Sequence, residues 1–257
     1  MKVMILAGGL GTRIAEETSI RPKPMVEIGG MPILLHIMKI YDAHGFSDFI
    51  VLLGYKGYMI KEYFANYFLH TSDVTIDLKE NRTIVHDNRS EKWRITLVDT
   101  GVTAKTGARI RKAQAYTEGE PFMLTYGDGL ADIDIRALVD AHRGSGKTVT
   151  MTSVQPDGRF GALEINDANE IVRFAEKPKG DSHWINGGFF VCEQAVFDYL
   201  PAGDDLVFEQ EPLRRLAEEG RMNAYQHTGF WKPMDALRDK QQLELLWNNG
   251  QAPWRMW

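Results

Sequence analysis

A single cysteine, Cys192, stands in 257 residues, which excludes an internal disulfide and any cysteine-rich zinc site. It closes the apolar run Phe189-Phe190-Val191-Cys192, the setting of a buried strand thiol rather than of a nucleophile. The seven histidines are scattered with no His-x-x-x-His spacing, so a histidine metal site is not expected. Positive charge is not in excess: 30 Lys and Arg face 35 Asp and Glu, a net charge of −5. That argues against a nucleic-acid binder working through a general basic surface, yet leaves room for a local cationic site for a small anion. No apolar run approaches the roughly 18 residues of a transmembrane helix. The opening Met1–Ala7 run meets Gly8-Gly9 too soon for a secretory signal, so a cytoplasmic protein with no membrane partner is expected. No repeat, low-complexity tract or linker interrupts the chain, and one domain over residues 1–257 is expected.

Hydrophobic residues make up 44% of the chain, enough for a substantial core, and their spacing alternates between two periods. Val3–Ala7 and Phe49–Leu53 are continuous apolar runs ending in glycine, the pattern of strands buried on both faces. Between them Pro32 opens a helix carrying Ile33, Ile37, Ile40 and Tyr41, with Gly45 placed to end it. Ile60, Tyr63, Phe64, Tyr67 and Phe68 supply the next helix, and the aromatic-rich Tyr58–Phe68 stretch is predicted to pack in the core, with a subunit contact as the alternative. Strand, helix, strand, helix reads as βαβ units about a parallel sheet. Further strands are predicted at Val74–Leu78, Thr83–His86, Ile95–Val98, Phe122–Tyr126, Val149–Val154, Ala162–Ile165, Ile171–Ala175 and Gly188–Cys192. Hairpin turns at Asn81-Arg82 and Asn166 to Asn169 make small antiparallel additions. Helices are predicted over Asp134–Arg143, Glu209–Glu218 and Leu237–Trp247. The fold class is thus α/β: a Rossmann-like, mixed but mostly parallel sheet flanked by helices.

The most informative segment is Leu6-Ala7-Gly8-Gly9-Leu10-Gly11-Thr12-Arg13, directly after the first strand. Glycines there let backbone N–H groups approach an anion without side-chain obstruction. The loop is not a P-loop, because no Gly-Lys-Ser/Thr follows. It is not a dinucleotide fingerprint either: position 14 is isoleucine, and the second strand ends without an acid for a ribose. What stands in their place is positive charge, Arg13 and then Arg21-Pro22-Lys23-Pro24. Arg offers a planar fork and Lys a point charge to phosphate oxygens, and the prolines restrict the backbone around Lys23. A solvated basic loop is the alternative for either cation alone, but the glycine loop just upstream favours phosphate binding.

Gly-Gly-x-Gly-Thr-Arg followed by Pro-Lys-Pro resembles the signature of the sugar-1-phosphate nucleotidylyltransferases, which join a nucleoside triphosphate to a sugar 1-phosphate and release pyrophosphate. Narrower segments resemble the branch of that family using CTP and α-D-glucose 1-phosphate. They are Asp99-Thr100-Gly101 with Thr106-Gly107-Ala108-Arg109, Tyr126-Gly127-Asp128-Gly129, Arg159-Phe160-Gly161-Ala162-Leu163, Glu176-Lys177-Pro178, Ile185-Asn186-Gly187-Gly188-Phe189-Phe190, and Gly229-Phe230-Trp231-Lys232-Pro233-Met234-Asp235. The likeness spans the chain. It implies the nucleotide-diphospho-sugar transferase fold, with Arg13 and Lys23 as catalytic cations. Leu6 through Arg13, Lys23, Thr103, Arg109, Gly127 and Asp128 would bind the nucleotide, Arg109 being the side chain nearest the base. Glu176, Lys177, Asn186 and Gly187 would bind the sugar phosphate, although a surface turn also accounts for Glu176-Lys177-Pro178. Asp128 and Asp235 would hold Mg²⁺, which takes one or two carboxylates plus phosphate oxygens and water. A helix cap is the other reading of both, Asp235 especially, while Asp132 and Asp134 read as caps of the following helix. The resemblance implies CTP and a sugar 1-phosphate as partners, no nucleic acid, and a homo-oligomer. A transferase using UTP, dTTP or GTP, or a noncatalytic sugar-nucleotide sensor, are the alternative readings. The Trp254 and Trp257 tail either packs on its own domain or crosses to a neighbouring subunit.

Overall fold

The computed structural model describes residues 1–88, 90–156, 162–165, 169–175 and 183–257, with 162–165 and 173–175 described by their backbone. Seven strands form the central sheet: β1 Lys2–Ala7, β2 Asp48–Leu53, β3 Arg94–Asp99, β4 Phe122–Tyr126, β5 Val149–Val154, β6 Ile185–Cys192 and β7 Met222–His227. Their spatial order is β7-β5-β6-β4-β1-β2-β3. β1 runs parallel to β2 and β4, β2 to β3, and β5 to β7, whereas β6 is antiparallel to both β4 and β5. The mostly parallel, mixed sheet expected from the sequence is the one observed.

The continuous apolar runs have a direct cause in this arrangement. Side chains alternate across a strand, and both faces of the inner strands are covered. Val3, Ile5, Val51 and Val191 enter one cluster, together with the helix Ile33–Ala43. Met4, Leu6, Ile50, Leu52, Leu124 and Phe190 enter a second cluster on the opposite face, with Ile110, Phe197 and Phe208. Charged residues would be stranded from water on either face, so β1 and β2 run apolar without polar alternation beyond their first residues, whereas β5 buries the hydroxyls of Thr150 and Thr152.

Several local expectations change. β7 has no counterpart in the sequence reading because, as a half-buried edge strand, it carries few apolar residues to betray it. The helix Thr106–Lys112 was not expected either: it is short, contains Gly107, and shows one large apolar residue, Ile110. The aromatic segment forms two helices, Gly57–Ala65 and Tyr67–Thr71, rather than one continuous face. Ile60 is fully buried there, but Tyr58 is 73% exposed, while Tyr63 and Phe64 lie against the core edge. The hairpin pairs Asp73–Asp77 with Arg82–His86, so Arg82 belongs to the strand rather than to the turn. Ala162–Ile165 pairs antiparallel with Ile171–Ala175; of the turn expected at Asn166 to Asn169, residues 166–168 lie outside the described residues, while Asn169 has a left-handed φ of 61°.

The C-terminal tail packs on its own chain. Trp254 is fully buried, stacks on Phe230 with ring centroids 5.4 Å apart, and donates its Nε1–H to His36 Nδ1 at 3.2 Å. With Nδ1 accepting, His36 must carry its proton on Nε2, which donates to the Ile28 carbonyl at 2.9 Å. Burial pulls the His36 pKa down to about 4, against the opposing hydrogen bonds to the Ile28 and Met31 carbonyls, and the charges of Lys39 and Arg255 lower it further. An imidazole that stays neutral when folded but takes a proton when unfolded removes stability as pH falls from about 6.5 to about 4. The loss reaches about 3 kcal/mol at the acid end. Thermal melts of the wild type and His36→Asn across that window should show a steeper acid-side decline in the wild type; equal slopes would overturn this account.

Candidate functional site

Because β1, β2 and β4 are parallel and in register, with Leu6 opposite Tyr126 and Ala7 opposite Leu53, their carboxyl ends reach one edge of the sheet together. β6 runs the other way, so its first residues, Ile185 and Asn186, lie at that same edge. A cavity of about 980 Å³ opens there, where open α/β sheets place ligands. Its walls bring together Leu6, Ala7, Gly8, Gly9, Leu10, Gly11, Thr12, Arg13, Lys23, Thr103, Arg109, Gly127, Asp128, Asn186 and Asp235. Gly187 is set back from this wall: a Cβ there would come within 2.9 Å of Val154, and its carbonyl accepts the Trp231 Nε1–H at 2.7 Å. Glu176 and Lys177 lie outside the described residues.

The glycine loop turns out of β1 into a single 3-10 turn, Thr12–Ile14. Gly11 has a left-handed φ of 64°, and a Cβ there would lie 2.6 Å from Thr18, whose hydroxyl donates to the Gly11 carbonyl at 3.0 Å. No side chain other than glycine fits that turn without strain. Gly127 is similarly forced, since a Cβ would stand 2.6 Å from the Leu6 carbonyl that accepts its own N–H.

Lys23 follows Pro22 in a second 3-10 turn, and its ammonium donates to Asp128 Oδ2 at 2.6 Å and to Asp235 Oδ1 at 3.0 Å. Arg13 reaches Asp235 Oδ2 at 2.9 Å from a largely exposed position. Burial alone would lower the Lys23 pKa, but the charge and hydrogen bond of Asp128, with those of Asp235, outweigh it and leave it above the usual lysine value. Asp235 answers in kind: burial would raise its pKa, and the Lys23 and Arg13 contacts pull it below the usual carboxylate range. A short ladder makes the meeting possible. Gly129–Ala131 pairs with Trp231–Pro233, and the Met234 N–H donates to the Asp128 carbonyl at 2.8 Å. Residues more than a hundred positions apart are thereby held at one point.

Asp235 does not cap the helix Leu237–Asn248. Asp239 does, accepting from the Asp235 and Ala236 N–H groups at 3.1 and 2.8 Å, which leaves the Asp235 carboxylate free to face Lys23. Asp134 caps its helix as expected, by accepting from Ala137 N–H at 3.0 Å. Asp132 does not: its Oδ1 lies 3.0 Å from His227 Nε2, turned toward the end of β7 instead. Among the described residues no group of three or more His, Cys, Asp and Glu side chains is placed to hold a metal. The Asp128–Asp235 pair, already converged on one cation, fits a hard divalent ion that draws its remaining ligands from phosphate and water.

Arg109 is 4% exposed, and its terminal nitrogens donate to the carbonyls of Leu53 at 2.9 Å, Gly101 at 2.9 Å, Gly8 at 2.8 Å and Val102 at 3.3 Å. It also bonds the Thr100 hydroxyl. Burial lowers its pKa, with Asp99 and Asp204 opposing. Its guanidinium therefore ties the glycine loop to the ends of β2 and β3, besides lining the cavity. This explains two glycines, since a Cβ on Gly8 or Gly54 would come within 2.3 or 2.5 Å of that guanidinium. Among the wall residues not named as site residues from the sequence are Thr106, Tyr126, Glu209 and Trp231. Glu209 is expected there as the start of a helix, whereas that helix begins at Glu211. Trp231 could have been found, as it belongs to the narrow Phe-Trp-x-Pro-Met-Asp segment. Gly8→Ala should displace the Arg109 clamp, costing about 1–3 kcal/mol as overpacking does. Calorimetric melts check this, and an unchanged melting temperature would remove the clamp from the account.

Comparison with known proteins agrees with this geometry. The family described as Nucleotidyl transferase matches residues 2–235. The glucose-1-phosphate cytidylyltransferases of Salmonella typhimurium and Salmonella typhi are each 57% identical over 258 residues, covering all of this chain and all of theirs. In fold, HddC from Yersinia pseudotuberculosis superposes with a TM-score of 0.68 at 23% identity, over 96% of this chain and 99% of that one. The fold is that of the nucleotide-diphospho-sugar transferases, and the chain belongs to the nucleotidyl transferase family, within its branch of glucose-1-phosphate cytidylyltransferases.

Proposed function

We propose that the protein joins CTP and α-D-glucose 1-phosphate to give CDP-glucose and pyrophosphate. The observation that carries the reaction class is the convergence of Lys23, Asp128 and Asp235 beside the glycine loop. Full-length likeness to the Salmonella typhimurium cytidylyltransferase supports the choice of CTP and glucose 1-phosphate. An oxygen of the sugar phosphate attacks the α-phosphorus of CTP in line. The bond from that phosphorus to the bridging oxygen breaks, and pyrophosphate leaves. No general base is needed, because a phosphate oxygen is already ionised at neutral pH.

Both reactants are anions, so the work of the site is charge neutralisation and alignment. Two unit charges 4 Å apart at an effective dielectric near 20 repel by about 4 kcal/mol, so each fixed cation matters. Arg13 and Lys23 hold the triphosphate, while the backbone of Leu6 through Thr12, with Gly127, Thr103 and the Arg109-anchored loop, seats the nucleoside. Lys177, with Glu176, Asn186 and Gly187, receives the sugar phosphate. Asp128 and Asp235 would hold Mg²⁺, whose charge, when bound, offsets that of the phosphates. In the free protein Lys23 balances these two carboxylates, and its raised pKa keeps it cationic throughout the neutral range. The reading extends to a cytoplasmic homo-oligomer acting on small molecules. Ile76 and Leu78, exposed at the Asp73–Asp77 hairpin, support a subunit contact, which sedimentation velocity tests.

Pyrophosphate release measured over the four common triphosphates and a panel of sugar 1-phosphates is the direct test. CTP should exceed UTP in kcat/KM by at least about tenfold, or roughly 1.4 kcal/mol; equal use of the two pyrimidines would overturn the cytidine assignment.

Asp128→Asn and Asp235→Asn should each nearly abolish turnover while the protein stays folded, since asparagine keeps the size but not the charge that a hard cation needs. The double variant should be little worse than either single one, as groups acting as a unit are not additive. A near-normal rate and Mg²⁺ dependence in Asp235→Asn would falsify the shared-metal assignment.

A further inference from the structure

The cavity has a cationic end and an end of a different character. Past Asp128, along the sheet edge toward β6, its wall carries the Glu209 carboxylate, the Asn186 amide and the Trp231 ring. Glu209 is held from two sides by neutral donors. The Tyr126 hydroxyl donates to Oε1 at 2.7 Å and the Thr106 hydroxyl to Oε2 at 2.5 Å. Each of these hydroxyls is itself fixed. Asn186 Nδ2 donates to the Tyr126 oxygen at 2.9 Å, Asn186 Oδ1 accepts from Gly188 N–H at 2.8 Å, and the Phe208 N–H donates to the Thr106 oxygen at 2.9 Å. Gly188, at φ 82°, makes the arrangement possible, because a Cβ there would lie 2.6 Å from the Tyr126 ring.

A carboxylate accepts about four hydrogen bonds, and these two hydroxyls occupy two of the sites. What remains faces the cavity as an acceptor that repels phosphate and attracts O–H donors. Position decides which donors. The Arg109 clamp serves the β1–β3 half of the edge, whereas Glu209, besides its bond to Thr106, is bonded to the end of β4 and, through Tyr126, to the start of β6. A nucleotide seated over β1–β3 leaves the β4–β6 half to the second substrate. The indole of Trp231, fixed by its bond to the Gly187 carbonyl, adds an aromatic wall to the same cavity. We propose that Glu209, oriented by Tyr126 and Thr106, is a specificity-determining residue that accepts hydrogen bonds from ring hydroxyls of the sugar 1-phosphate. This inference rests on the sugar-phosphate reading of the same cavity.

The test crosses Glu209→Gln, which keeps size but removes the charge, with substrates lacking single hydroxyls. Wild type and variant are assayed for pyrophosphate release with glucose 1-phosphate and its 2-, 3-, 4- and 6-deoxy analogues, and with CTP against 2′-deoxy-CTP. Glu209→Gln should lower kcat/KM for glucose 1-phosphate about 10- to 100-fold, the size of a lost charge-assisted hydrogen bond. The KM for CTP should stay unchanged. At least one deoxy sugar should lose a similar factor with the wild type and little more with the variant, the mark of a shared contact. A uniform loss over every analogue, a shift confined to 2′-deoxy-CTP, or no loss at all would overturn the proposal. Saturation-transfer NMR of glucose 1-phosphate on both proteins separates this outcome from failure of the wider reading. Should the wild type bind the sugar without releasing pyrophosphate, the reaction assignment fails; the Glu209 contact is then judged by weaker ring-proton transfer in the variant, and equal transfer overturns it.

Discussion

The Lys23 ammonium, shared between Asp128 and Asp235, is the contact on which the site depends. Without a cation between them, the two carboxylates that the short ladder brings together would repel each other. Three separate parts of the chain meet there: the loop after the glycine turn, the turn after β4, and the approach to the last helix. Arg13 brings in a fourth part, the end of the glycine loop itself. The same charges suit an incoming polyanion. A triphosphate offers Lys23 and Arg13 better partners than carboxylates do, and a divalent cation offers the carboxylates a better partner than lysine.

Around that point the scaffold is stiff for identifiable reasons. Asp239 takes the N–H groups at the start of the last helix, so the Asp235 carboxylate is not spent on capping. Trp254, buried against Phe230 and His36, packs the chain terminus behind the segment that leads to Asp235. At the ends of β1 to β3, Arg109 occupies the interior between three loops and satisfies their carbonyls, work that ordered water would otherwise have to do. An arginine suits this role because its planar fork reaches several acceptors from one fixed position.

Much of this was determined by the sequence alone. The apolar runs of β1 and β2 read as strands buried on both faces, and the glycines after β1, with Arg13 and Lys23 close behind, read as an anion site in local order; the structure brings those residues to one cavity. Local order suffices there because a turn and its neighbouring cations depend on backbone geometry within twenty residues. β7 and the helix Thr106–Lys112 escaped notice because their stability comes from what they lie against rather than from their own periodicity. The tertiary structure alone decided that Asp235 faces a lysine instead of capping a helix, that Asp132 turns to His227, and that Glu209 joins Tyr126 across 83 positions. Carboxylate roles are illegible in sequence for a physical reason: the same side chain caps a helix, pairs with a cation or accepts from a hydroxyl. Only the neighbours delivered by folding choose among them.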